Sequence, residues 1–208
     1  MSRKMIAIAA ALSLLAVGSP LINANANPLA RQYYDQGVEK YDDGNYQGAI
    51  SDWSKAIEIN PQYANAYYNS GLAKDQLGDY QGAIVEYTRA IELDPRFADA
   101  YENRGNVKNR SGDHQGAISD YNKAMEIDPQ SVLAYYNRGV AKFNLEDYQG
   151  AIADYTKSLE INPQYASAFV NRGISRELVN DLEGACRDWR KAVDLGNERP
   201  AEWVKNQC

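Results

Sequence analysis

The chain holds one histidine, His114, and two cysteines, Cys186 and Cys208, among 208 residues. A Cys–His or Ser–His–Asp nucleophile set needs partners that such a composition does not supply. His114 stands where equivalent segments carry tyrosine, so it reads as a turn residue rather than a base. Two cysteines and one histidine make no persuasive metal site. Asp42-Asp43-Gly44-Asn45 lacks the spacing of a calcium loop. No glycine-rich phosphate loop is present, because the glycines recur at long regular intervals. Cationic excess is missing as well. Asp and Glu number 28 against 22 Lys and Arg, which argues against nucleic acid as a partner, since that binding rests on clustered positive charge. These absences point to a chain that is not an enzyme and carries no cofactor and no metal.

Long apolar runs are scarce too. The one at the N-terminus, Met5 to Val17, is about 13 residues, short of the roughly 20 that span a bilayer. Arg3 and Lys4 precede it, Gly18-Ser19-Pro20 breaks it, and Ala24-Asn25-Ala26 is an A-x-A site. This is the pattern of a signal peptide over 1–26, with cleavage expected after Ala26. The expected location is therefore an exported one: periplasm, thylakoid lumen or secreted space. No later segment is apolar enough to span a membrane once the signal is removed.

What the chain does have is a period. Asn-Arg-Gly occurs at 103–105, 137–139 and 171–173, and Asn-Ser-Gly at 69–71, each 34 residues apart. Aligned on Gly37, Gly71, Gly105, Gly139 and Gly173, the chain divides into five units: 30–63, 64–97, 98–131, 132–165 and 166–199. Tyr-Gln-Gly-Ala-Ile recurs at 46–50, 80–84 and 148–152, and His114 begins the corresponding stretch of the third unit. Pro61, Pro95, Pro129 and Pro163 close four units at one phase, where proline cannot continue a helix. Each unit reads as two helices, A and B, because apolar residues follow helical spacing on both sides of a central turn.

In the fourth unit Tyr135, Gly139, Ala151, Tyr155, Ser158 and Pro163, and in the second Tyr67, Gly71, Ala83, Tyr87, Ala90 and Pro95, stand at the positions of the tetratricopeptide pattern. The array resembles tetratricopeptide repeats over about 30–197. The resemblance implies an all-α, right-handed α-solenoid of five helix–turn–helix units, with the A helices lining a concave groove. Gly in a helix interior costs about 1 kcal/mol relative to Ala. Its fivefold use predicts a close crossing of helices A and B, with Ala49, Ala83, Ala117, Ala151 and Ala185 across from it and the Tyr and Trp of helix B between units. Stacking of units then supplies the stability that one unit lacks.

Asn69, Asn103, Asn137 and Asn171 lie two residues before their glycines, about 200° round the helix, and should face the groove. A side-chain amide both donates and accepts, so a row of them suits a peptide main chain. The row resembles the asparagine ladder of the repeat arrays in nucleocytoplasmic sugar transferases. Fixing the geometry between repeats is the competing role. Tyr34, Tyr68, Tyr136 and Phe143 are the expected apolar anchors beside it, with Val38, Leu72, Val140, Val170 and Ile174 as further groove neighbours. The third unit is polar at the same positions, with Asp99, Glu102, Asn106 and Asn109. Arg104, Arg138 and Arg172 recur with Asp120, Asp154 and Asp188, which predicts ion pairs inside each unit. The arrays that clamp a chaperone's C-terminal carboxylate use a residue set of which only Asn69 is present, so that ligand is excluded.

The fifth unit departs from the period. Asn197 replaces proline, and 198–208 reads as a capping helix folding back from Gly196-Asn197. Cys208 lies 11 residues beyond that turn and Cys186 10 residues before it, so the two come level and a disulfide is expected. The functional expectation is a protein-interaction scaffold holding an extended segment of a protein or peptide partner. A self-associating homo-oligomer is the alternative.

Overall fold

A computed structural model describes residues 27–208. The expected signal peptide lies outside the described residues. The polypeptide forms α1 (Pro28–Asp42), α2 (Tyr46–Ile59), α3 (Ala64–Gln76), α4 (Tyr80–Leu93), α5 (Ala98–Arg110), α6 (His114–Ile127), α7 (Val132–Asn144), α8 (Tyr148–Ile161), α9 (Ala166–Leu178), α10 (Leu182–Asp194) and α11 (Ala201–Gln207). Among the described residues there is no strand. Odd-numbered helices up to α9 are the A helices, and their even-numbered successors are the B helices.

Local chemistry sets the boundaries. Asn45, Asp79, Asp113, Asp147 and Asp181 each cap a B helix, the side chain accepting from the backbone N–H three residues on. That N–H belongs to the glycine of the Gln-Gly-Ala stretch or its counterpart Gly184. A Cβ on Gly82, Gly116, Gly150 or Gly184 would fall within 2.1 Å of the capping carboxylate. The second repeating glycine therefore makes room for its own cap. At the other end, Asn60, Asp94, Asp128 and Asn162 turn the chain by accepting from the N–H two residues later, at 2.9–3.1 Å, just around the proline. The A-to-B turn needs one residue at positive φ. Gly44, Gly78 and Gly112 supply it in three units, and Glu146 and Asn180, at φ 61° and 66°, take the same place in the last two.

Each A helix packs on its own B helix, and each B helix on the next A helix. Neighbouring A helices also touch one another, whereas consecutive B helices do not. The A helices thus sit on the short inner radius and the B helices fan out behind them, which gives the stack its concave A face.

The tight place in each unit is not where the alanines lie. Those alanines are fully buried, but the aromatic ring four residues further along helix B is what meets the glycine. A Cβ on Gly37 would stand 2.4 Å from Trp53, on Gly71 2.7 Å from Tyr87, and on Gly105 2.8 Å from Tyr121. On Gly139 and Gly173 it would stand 2.7 Å from Tyr155 and 2.3 Å from Trp189. A helical side chain leans back toward its N-terminus, so the ring covers the surface one turn before its own Cα. These five rings are essentially unexposed, and each fills the crossing within its unit. Trp53, Tyr87 and Tyr121 also share a core cluster with the next unit's A helix, at Ala66 and Ala73, at Val107, and at Ala134 and Ala141, as expected of rings between units.

The repeated arginines bind inside their units, as expected. Arg104 donates through Nε and Nη2 to Asp120 at 2.9 and 2.6 Å, Arg138 to Asp154 at 2.8 and 2.5 Å, and Arg172 to Asp188 at 2.9 and 2.7 Å. Lys108, Lys142 and Arg176 add a second cation to each carboxylate at 2.8 Å. The remaining Nη1 reaches the preceding B helix, at Thr88, Asn122 and Thr156. One guanidinium thus ties three helices, with both oxygens of a nearly buried carboxylate engaged.

The cap is shorter than expected, beginning at Ala201 behind Pro200 instead of at 198. Asn197 accepts from the N–H of Arg199 and holds the turn that delays it. Cys186 and Cys208 are bonded, with Cα atoms 5.6 Å apart, and Trp203 of α11 lies 5.2 Å from Trp189 between ring centroids.

Candidate functional site

The asparagines do lie along the A helices, but three of the four amides are already engaged. Asn69 Nδ2 donates to the Tyr34 hydroxyl at 3.0 Å, Asn103 to Tyr68 at 2.8 Å, and Asn171 to Tyr136 at 2.9 Å. Each bond reaches back to the preceding A helix and forms a rung between units. The tyrosines are half-buried instead of exposed, because each ring packs on the aromatic residue that closes its own unit. Tyr34 lies on Tyr63 at 4.8 Å, Tyr68 on Phe97 at 4.6 Å, and Tyr136 on Tyr165 at 4.9 Å. Burial raises all three phenols above their ordinary pKa, Tyr68 to about 12, despite the asparagine bond that favours ionisation. Val170, expected in the groove, is instead buried at 1 % exposure. It occupies the tyrosine position of the fifth unit, with only the cap beyond.

The rung between the third and fourth units is missing. Glu102 stands where the others have tyrosine, and Ser131 where they have Tyr63, Phe97 and Tyr165. The pair is exchanged as a pair: Ser131 Oγ donates to Glu102 at 2.9 Å, and also caps α7. Burial raises the Glu102 pKa, partly offset by that hydrogen bond, and Asp99 and Asp128 raise it further. A carboxylate turned toward Ser131 does not reach the next helix. Among the described residues the Asn137 amide has no hydrogen-bond partner.

Two hollows open on the A face. A polar one of about 320 Å³ is lined by Asp75, Asn103, Asn106, Asn109, Arg110, Tyr121 and Asn137. Asn106 replaces the aliphatic residue of the other units and accepts from the Tyr121 hydroxyl at 2.8 Å. Among the described residues the corresponding Tyr87 hydroxyl, whose ring packs with Leu72 of its unit, is buried without a hydrogen-bond partner. Arg110 is bonded to Asp75 and lies 5.1 Å from the Tyr80 ring. The second hollow, also about 320 Å³, is more apolar and is formed by Val140, Phe143, Tyr155, Asn171, Ile174 and Arg199. The structure thus brings Asn103 with Asn137, and Phe143 with Asn171. Asn69, Tyr34, Tyr68 and Tyr136 belong to the rungs.

Arg199 was not foreseen, since it comes from the turn before α11 and only the folded cap carries it into the groove. Asp75 was expected as a groove neighbour of the second unit, but Arg110 and Tyr121, which join it here, were missed. The polar break at Glu102, Asn106 and Asn109 was the signal that could have found them. His114 begins α6 and its Nδ1 lies 2.6 Å from Asn109 Oδ1, so its ring is engaged beside this polar region.

The protein-family model described as TPR repeat matches residues 37–77, 71–112 and 105–146, and that described as tetratricopeptide repeat matches 132–165. Both are repeat models, and neither is catalytic. A search of curated proteins gives no match. Among solved structures the fold is similar to that of MamA, with a TM-score of 0.74 at 23 % identity over 79 % of this chain and 96 % of that one. It is also similar to YrrB, described as a TPR protein with an unusual peptide-binding site, with a TM-score of 0.71 at 21 % identity over 84 % of this chain and 89 % of that one. A third, Pseudomonas aeruginosa pilF, gives 0.72 at 20 % identity over 80 % and 76 %. At such identities the likeness shows the fold alone, while the repeat matches run through most of the helical array: the chain belongs to the tetratricopeptide repeat family.

Proposed function

We propose that the concave face holds an extended segment of a partner protein in an exported compartment, with the protein acting as a scaffold. The free Asn137 amide carries this reading. It lines the polar hollow, on a face where the other asparagines are spent on architecture. An amide with both donor and acceptor vacant suits a peptide main chain. Phe143, Val140 and Ile174, which line the apolar hollow with Asn171, offer an apolar contact for one side chain of the segment. YrrB is described as having a peptide-binding site on the same kind of fold, which supports the reading by analogy only. Export rests on the signal-like pattern of 1–26 alone.

The test is capture of partners from the compartment by the parent protein, by Asn137→Ala, and by the triple change of Asn103, Asn137 and Asn171 to Ala. The single change removes no rung, so its helicity and melting should match the parent. A partner held by the parent and lost by Asn137→Ala supports the groove. A partner held equally by all three, with folding intact, refutes it and moves the interface to the convex face or the cap.

A further inference from the structure

The polar hollow of the third unit has the composition of a side-chain socket. This inference rests on the groove reading above and asks what the groove selects. Three positions change together here. Glu102, Asn106 and Asn109 stand where the fourth unit has Tyr136, Val140 and Phe143. Replacing a long ring by Glu102, and its stacking partner by Ser131, leaves a gap that a rung would have filled. Each lining group has an account except those that face the gap. Arg110 is consumed by Asp75, and Arg104 and Lys108 are both consumed by Asp120. Tyr121 donates to Asn106. Asn103 gives its N–H to Tyr68, and its oxygen receives only a long 3.5 Å contact from Asn106. What remains of the lining is the Asn103 oxygen and the Asn137 amide, and outside it stands Glu102, with an oxygen that Ser131 does not use. Among the described residues the lining cation, Arg110, is already paired with Asp75. Glu102 lies one turn from Asn106 on α5, and its charge, after burial, holds the Tyr121 phenol up.

We propose that this socket takes a basic side chain, lysine or arginine, of the bound segment. The donors of an ammonium or guanidinium match the vacant acceptors, and Glu102 supplies the countercharge. The apolar hollow lies one unit further on. Packed helices stand about 10 Å apart, which an extended chain covers in about three residues at roughly 3.3 Å each. The selected segment therefore has a basic residue and an apolar residue about three positions apart.

The experiment is selection of a random dodecapeptide library displayed on phage by the parent protein, by Glu102→Gln and by Asn137→Ala. The glutamine keeps the hydrogen bond with Ser131, and circular dichroism checks that each variant folds. The parent should enrich peptides with one Lys or Arg and an apolar residue near that spacing. Against a synthesised winner, Glu102→Gln should lose about tenfold in affinity, the scale of one charge-assisted contact. A version of that peptide with the basic residue neutralised should bind parent and variant alike. Peptides without basic preference that still depend on Asn137 overturn the socket and leave the groove reading standing. A basic preference untouched by Glu102→Gln also overturns it. A library that yields no peptide at all refutes both.

Discussion

Reduction of the Cys186–Cys208 bond tests how the array is held at its end. The bond spans 22 residues of sequence. Closing a loop of that length in the unfolded chain is worth about 3 kcal/mol on the chain-entropy account. Where that energy is lost depends on the connectivity. α11 packs on α10 and on no other helix, so the rest of the solenoid has no direct stake in it. Without the bond, the seven-residue helix keeps the Trp203–Trp189 contact and a hydrogen bond of 2.6 Å from Arg190 to the Cys208 carbonyl. A helix that short is marginal alone. Native-state hydrogen exchange, read on oxidised protein and on Cys208→Ser, should therefore show protection of the 201–207 amides falling roughly hundredfold. The amides of α1 to α8 should keep theirs, and tryptophan fluorescence should shift as Trp189 becomes wetter. Unchanged protection in α11 would refute the staple. An equal loss across α1 to α8 would refute nearest-neighbour stability.

Glu146→Gly should raise stability by about 1 kcal/mol in chemical denaturation, because it relieves a left-handed backbone at the place where three other units use glycine; a fall would mean the Glu146 side chain matters more than its backbone. Gly139→Ala should lower stability by roughly 1 kcal/mol or more, since a Cβ 2.7 Å from the closed-in Tyr155 ring outweighs the gain in helix propensity; a higher melting temperature would show that the ring yields freely. Asp154→Ala should cost about 3 kcal/mol, as it leaves Arg138 and Lys142 without their shared carboxylate. In the first unit, burial pushes the Asp52 carboxyl up, but hydrogen bonds from Lys40 and Lys55 outweigh it and its pKa is lowered. The stability it contributes is thus full above the unfolded value of about 4 and is lost as pH falls through the lower folded value. Asp52→Asn should flatten acid unfolding in that window, and an unchanged acid limb would exclude Asp52 as a cause.

Much of the fold is written in the period. The prolines, the helix pairs, the arginine–aspartate pairs and the cysteine pairing follow from residues whose roles are local or set by a constant 34-residue step. The reading went astray where a side chain's direction, rather than its position, decides the contact. Ala49 and its equivalents were placed against glycine because they face the right way, yet the ring of Trp53 or Tyr87 leans back a turn and arrives first. The groove was legible only as a stripe. That Tyr34 would bond Asn69 depends on a reach of one full unit plus one residue. The break at Glu102 was visible as polarity, but its meaning needed the partner exchange at Ser131, which is 29 residues away. Arg199 was out of reach altogether, because it enters the groove only after the cap closes.

An array of interchangeable joints has no intrinsic length. Every B helix offers the next A helix much the same surface, and nothing in one joint tells it that it is the last. α11 settles the matter for α10, taking the place of a sixth unit and being tied there by a covalent bond. It acts as a chain terminator in the polymer sense. A second copy cannot add head-to-tail at that end without first evicting a tethered helix. Any assembly of this protein that leaves the cap seated must therefore use the faces of the coil rather than stacking repeats end to end at α11.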